Sequence, residues 1–127
     1  GLAGQFEDFS VIPQEVSMIS HFDSNATEGA SAEYIKKYVA AYGADTLNQF
    51  GASAYDCVYA LYNAMKAAVE AGEEIDVTIS ASDLCEILKA QFTGDFSYSG
   101  VTGTDVQWED NGYVSKEAVK YTLKTAN

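Results

Sequence analysis

A chain of 127 residues, 47% hydrophobic and 20% charged, is long enough for one modest core and too apolar for a disordered segment. Nineteen acidic against seven basic residues give a net charge of −12, which repels nucleic-acid backbones and anionic lipid headgroups. No stretch approaches the roughly 18 apolar residues of a membrane span, and the opening GLAGQFEDFS has neither the basic region nor the long apolar run of a secretion signal.

Pro13 breaks any regular element near the start. Residues 16–22 (VSMISHF) mix apolar Val16, Met18, Ile19 and Phe22 with polar Ser17, Ser20 and His21 and read as a strand, with a turn at Asp23-Ser24-Asn25. A first helix is expected over 31–42, since Ile35, Tyr38, Val39 and Tyr42 fall on one face. Gly43 is placed to end it, and Lys36 and Lys37 lie on the solvated side.

A second helix is expected over 54–71. Ser53 and Asp56 have the spacing of a capping box. Ala54, Val58, Leu61, Met65 and Ala68 form an apolar stripe, and Tyr55, Tyr59 and Tyr62 an aromatic one. Two stripes predict a helix covered on more than one side; the tyrosines serve packing or ligand stacking.

Residues 76–79 (DVTI) are a short strand or an extended connection. A third helix over 83–92 would bury Leu84, Ile87, Leu88 and Phe92, capped by Ser80 or Ser82 and stopped by Gly94. Gly100, Gly103 and Asp110-Asn111-Gly112 are turn signals, and Asn111-Gly112 suits a hairpin. Residues 105–108 and 118–123 read as strands, Val119, Tyr121 and Leu123 alternating with polar neighbours in the second.

Catalytic patterns are missing from the sequence. It has no nucleophile elbow, no phosphate-cradling glycine loop and no paired histidines. Cys57 and His21 are one conceivable dyad, but an apolar helical stripe disfavours a Cys57 thiolate. Cys57 and Cys85 both read as small buried residues; the alternative, in an oxidising compartment, is an interhelix disulfide. Their spacing makes no zinc pattern. The expectation is therefore a protein without catalytic residues, bound metal or cofactor.

The order of pieces resembles the C-terminal part of the extracellular or periplasmic ligand-binding receptors of the leucine/isoleucine/valine-binding type. An aromatic helix ends in Tyr-Gly, as in Tyr38-Val-Ala-Ala-Tyr42-Gly43. A small-residue run leads to Tyr-Asp, as in Gly51-Ala-Ser-Ala-Tyr55-Asp56-Cys57, and the next helix closes with Ala71-Gly72. There follow Phe92-Thr93-Gly94, then Gly100-Val-Thr-Gly103, then Trp108-Glu-Asp-Asn-Gly112, Lys116 and a closing strand. Cys57 stands where alanine is usual, Trp108 where phenylalanine is commoner, and residues 92–100 look lengthened.

This resemblance implies an α/β fold: a C-terminal fragment of a type 1 periplasmic-binding-protein fold, three helices packed on a few strands, with the sheet incomplete or completed by a second copy. The whole chain, 1–127, would be a single fragment: 1–22 a strand leaving the second lobe, 23–112 the helical part of the first, 113–127 a returning strand. It implies the solute-binding component of an ABC transporter, outside the cytoplasm in a periplasm or lipid-anchored at a cell surface. A small ligand, an amino acid of the branched-chain type, would lie between the lobes and pass to the permease membrane subunits. Phe50, Ala52, Ser53 and Tyr55, at the expected start of the second helix, would lie near the ligand, since free amides there suit a carboxylate. A homodimer through strand exchange is a further expectation for the fragment. The alternatives are a stand-alone α/β protein-interaction module and a hydrolytic enzyme.

Overall fold

The computed structural model describes residues 14–124, in the order β1 (Val16–Ser20), α1 (Gly29–Tyr42), α2 (Gln49–Glu70), α3 (Ala81–Phe92) and β2 (Val119–Lys124). It is a small mixed α/β domain of three helices and one two-stranded antiparallel sheet. Pro13, the opening segment and residues 125–127 lie outside the described residues.

β1 and β2 come from opposite ends of the described chain and pair from Ser17↔Thr122 to Ser20↔Val119, with a slip between Val16 and Ser17. The helices are not laid across this sheet, as the expectation of helices packed on strands had it. The main packed pairs are β1 with β2 and α2 with α3. β1 reaches the helices through its end: Ser20 Oγ, buried, donates to Gln49 Oε1 at 2.8 Å and accepts from the Phe22 amide at 3.1 Å. Phe22 then enters a core with Tyr34, Ala52 and Val101.

α1 begins slightly earlier than expected and ends at Gly43, whose φ of 81° suits glycine. Its buried residue is Tyr34; Ile35, Tyr38 and Val39 are half-buried and Tyr42 is exposed, so the expected face is rotated toward α2. α3 follows the reading closely. Ser80 Oγ caps the first turn by accepting from the Asp83 amide at 3.1 Å, and its hydroxyl donates to Asp83 Oδ2 at 2.7 Å. Its apolar residues are half-buried, and Phe92 meets Phe96 and Trp108 with ring centroids 5.4 and 4.6 Å away.

α2 departs most. It starts at Gln49, one turn before the expected boundary, because Asn48 Oδ1 accepts from the Phe50 and Gly51 amides, both at 2.9 Å. Ser53 therefore lies inside the helix and is no cap. Replacing Asn48 by alanine should lower stability by about 1 kcal/mol in urea unfolding, whereas Ser53→Ala should change it by roughly a few tenths of a kcal/mol at most. The reverse ranking would restore the later start.

The buried row of α2 is Ala52, Asp56, Ala60, Ala64 and Ala68, and among the expected stripe only Ala68 belongs to it. Val58 and Leu61 are 65% and 44% exposed, Ala54 is exposed and Met65 is half-buried. Residues four apart advance about 40° around a helix of 3.6 residues per turn, so this row winds from the α1 side toward α3. Small side chains let the backbones approach, while the larger apolar residues that dominate the sequence pattern are left outside. The helix closes as read: Gly72, at φ 101°, follows the cap, with its amide on Val69 O and the Glu73 amide on Ala68 O.

Cys57 and Cys85 are exposed free thiols, not buried and not bridged. Residues 76–79 form a turn in which Asp76 Oδ1 accepts from the Thr78 amide and hydroxyl, both at 2.7 Å. The strand expected at 105–108 is replaced by two isolated bridges, Tyr98↔Val106 and Trp108↔Val114. The second closes the turn at Asn111-Gly112, where the Gly112 amide donates to Glu109 O at 2.7 Å.

Candidate functional site

The polar centre of the domain is Asp56. It is 5% exposed and the only charged residue between Thr46 and Met65. It accepts four hydrogen bonds from one loop. The Val101 amide reaches Oδ1 at 2.8 Å, and the Thr102 amide and hydroxyl reach Oδ2, both at 2.6 Å. The Tyr98 hydroxyl donates to Oδ1 at 3.1 Å. Lys116 Nζ donates to Thr102 Oγ1 at 2.6 Å, so an ammonium supports the carboxylate through one hydroxyl. Such charge-assisted bonds are shorter and stronger than neutral ones.

The loop so held, residues 98–106, is closed by the Tyr98 and Val106 backbones at 3.0 and 2.9 Å and by the Gly100 amide on Gly103 O at 2.8 Å. Ser31 Oγ donates to Val101 O at 2.9 Å, joining it to α1. Val101, Thr102 and Val106 are buried beneath it.

A cleft lies on each side of this loop. The larger, 460 Å³, has mixed walls that carry most of the charged side chains. Its walls include His21 and Asp23 after β1, Glu28 and Ser31 at the start of α1, Thr104 on the loop and Glu117 before β2. The His21 ring Nδ1 lies 3.0 Å from Glu117 O, tying the roots of the two strands together. The smaller, 220 Å³, lies between α1 and α2 and is walled by Tyr34, Tyr55, Tyr59 and Tyr98. Burial, then the charge of Asp56 and its hydrogen bond, hold the Tyr98 phenol far above its ordinary range. Burial, then Tyr38 and Asp56, raise Tyr34. The Tyr59 hydroxyl, then burial, raise Tyr55. Tyr34, Tyr55 and Tyr98 therefore stay protonated at neutral pH.

The four residues expected near a ligand are spread over different environments. Ala52 is wholly buried in the core and its amide donates to Asn48 O at 3.3 Å. Phe50 is 73% exposed and Ser53 half-buried. Tyr55 lines the aromatic cleft, its ring 5.0 Å from Tyr34 and 4.6 Å from Tyr59. The free amides that motivated the expectation lie a turn earlier, and two of them are taken by Asn48. Sequence reasoning assigned Asp56 to the helix cap; its isolation in an uncharged run, and the glycine-bracketed Gly100–Gly103 segment, are the signals that pair them.

Among the described residues no group of three or more His, Cys, Asp or Glu side chains could hold a metal ion, and no helix is long and apolar enough to cross a membrane. No hydrogen bond among the described residues joins Cys57 to His21. Comparison of the chain with protein-family models, curated proteins and solved structures finds no match.

Proposed function

We propose that this chain is part of a two-lobed solute-binding receptor, which takes up a small ligand, an amino acid of the branched-chain type, outside the cytoplasm and presents it to the membrane subunits of an ABC transporter. The observation that carries this reading is the strand pair. The chain enters and leaves the helical body side by side, through β1 and β2, and the larger cleft opens at their roots. A two-strand tie bends more readily than a packed interface, as a hinge requires. The order of sequence segments from residue 16 to residue 123 supports the same reading.

In this mechanism the ligand would be held first by the cleft beside residues 99–104 and then enclosed by a second lobe. Closure is driven by contacts made only in the closed state, since a ligand shifts an equilibrium only by its differential affinity. Of the four residues carried over by resemblance none lines this cleft: Phe50 and Ser53 have accessible side chains that a second lobe would contact on closure, and Tyr55 lines the cleft across the loop. Ala52 would act only by keeping the start of α2 in place.

The alternative is a stand-alone interaction module, favoured by the exposed row of Phe50, Val58, Leu61, Tyr62 and Val69 along α2. Calorimetry on the full product of the gene separates the two. The receptor reading expects micromolar binding of an amino acid by that product and none by the 127-residue chain alone. A full product that ends at these 127 residues, or one that binds none of the twenty amino acids, overturns it.

A further inference from the structure

The outer face of α2 has no cover among the described residues. Phe50, Val58, Leu61 and Val69 are 44–73% exposed, and exposed Ala54 and half-buried Met65 complete their row. At 3.6 residues per turn these six positions fall within about 100° of the helix circumference. Asp56 is turned into the core, and Lys66 and Glu70 lie beside the row, so the row itself carries no charge although the chain has a net charge of −12. A helix face meant for water carries polar and charged residues instead.

The spacing within the row says what covers it. From Phe50 to Val69 the steps are 4, 4, 3, 4 and 4 residues, the same in both directions. A two-fold axis midway between Tyr59 and Ala60 therefore sets Phe50 level with Val69 of an antiparallel second copy, Ala54 with Met65, and Val58 with Leu61. Each layer puts a larger side chain against a smaller one. The ends match as well. Phe50, 73% exposed, projects at one end, and at the other Tyr62, Met65, Val69 and Ile75 wall a groove of 350 Å³. The same axis brings the Phe50 of each copy to the groove of the other, an aromatic anchor in a pocket. A two-fold interface must be complementary to itself; an unrelated partner requires no such symmetry. The exposed parts of these side chains come to roughly 500 Å² per copy. A pair would bury about 1,000 Å², the lower end of specific interfaces, which fits a weak, concentration-dependent dimer.

We propose that the outer face of α2 is the contact between two copies of this chain, packed antiparallel about a two-fold axis, with Phe50 of each seated in the groove of the other. No strand is exchanged. The inference does not rest on the receptor reading; the two meet only at Phe50, where that reading brings a second lobe.

The test is sedimentation velocity of the 127-residue chain from micromolar to submillimolar concentration. A dimer should form with a dissociation constant of about 10–100 µM, and it should tighten as salt screens the repulsion between two acidic copies. Val58→Glu and Leu61→Lys place good helix formers at exposed positions, so each should keep the circular dichroism of the unmodified chain. Each should weaken self-association at least about tenfold, by burying an unpaired charge. Mixed in equal amounts, the two variants should associate at least about fivefold more tightly than either alone, because the axis sets position 58 of one copy against position 61 of the other. Val77→Lys, in the turn over 76–79 and away from the row, should change nothing. A chain that stays monomeric at every concentration would overturn the proposal. So would a dimer indifferent to both variants, the result expected of strand exchange, or a mixture that associates no better than its components. A longer gene product that stays monomeric would overturn it too, its remaining residues covering the row.

Discussion

Asp56→Asn should lower the stability of the chain by about 3 kcal/mol in urea unfolding, the largest effect of any single polar substitution in the domain. The carboxylate accepts from two amides and two hydroxyls, on both of its oxygens. An asparagine keeps one acceptor oxygen and turns an NH2 group toward donors that then have nothing to bond. Each hydrogen bond to a charged group is worth about 1.5–3 kcal/mol. The losses do not add, because the four share one side chain, and removing a buried charge returns part of its desolvation cost. Tyr98→Phe removes a single bond and should cost about 1 kcal/mol. Amide hydrogen exchange adds a local readout: Val101 and Thr102 should lose protection in Asp56→Asn before α3 does. A loss of stability below about 0.5 kcal/mol would mean that the loop is held by its buried apolar residues instead.

Gly100→Ala should be nearly as damaging, about 2–3 kcal/mol, for a steric reason. A methyl group at this position would overlap Asp56 Oδ1 and sit 2.5 and 2.6 Å from Tyr98 Cε1 and its hydroxyl oxygen. Neither neighbour can yield freely, since the Tyr98 hydroxyl and the Asp56 carboxylate hold each other. Gly51→Ala is the natural comparison. There the nearest atom is the Tyr34 hydroxyl at 3.3 Å, and the helix gains from alanine, so the cost should be small or reversed. If Gly100→Ala unfolds at the same urea concentration as the unmodified chain, the loop moves away from Asp56 easily. Combining Gly100→Ala with Asp56→Asn should cost clearly less than the two separate effects together, because both release the same loop.

Local features of the fold were legible because they are encoded locally. Ser80 three residues before Asp83 specifies the start of α3, Gly72 closes α2, and alternation marks both strands. What was not legible depends on residues far apart in the chain. Ser53-x-x-Asp56 satisfies the capping pattern, yet Asp56 is drawn to amides 45 and 46 positions later, while Asn48 supplies the cap. Val58 and Leu61 weigh more in a hydrophobic pattern than Ala60 and Ala64, yet close helix packing selects the small residues. The candidate site was legible only at Tyr55. Tyr59 was read as a packing or stacking group, Tyr34 and Tyr98 carried no signal, and the loop that separates the two clefts appeared only as a pair of turn glycines.

The strand pair joins residues 105 positions apart, across Ser17 and Thr122, more than twice the span closed by Asp56 and Thr102. Loop-closure entropy alone separates these events by only about 0.7 kcal/mol. β1, however, buries a single residue, Ser20, so its pairing gains little until the helices and the loop have already brought its ends together. Assembly therefore runs from the middle of the chain outward. Amide hydrogen exchange should therefore find the strand pair less protected than the core of α2.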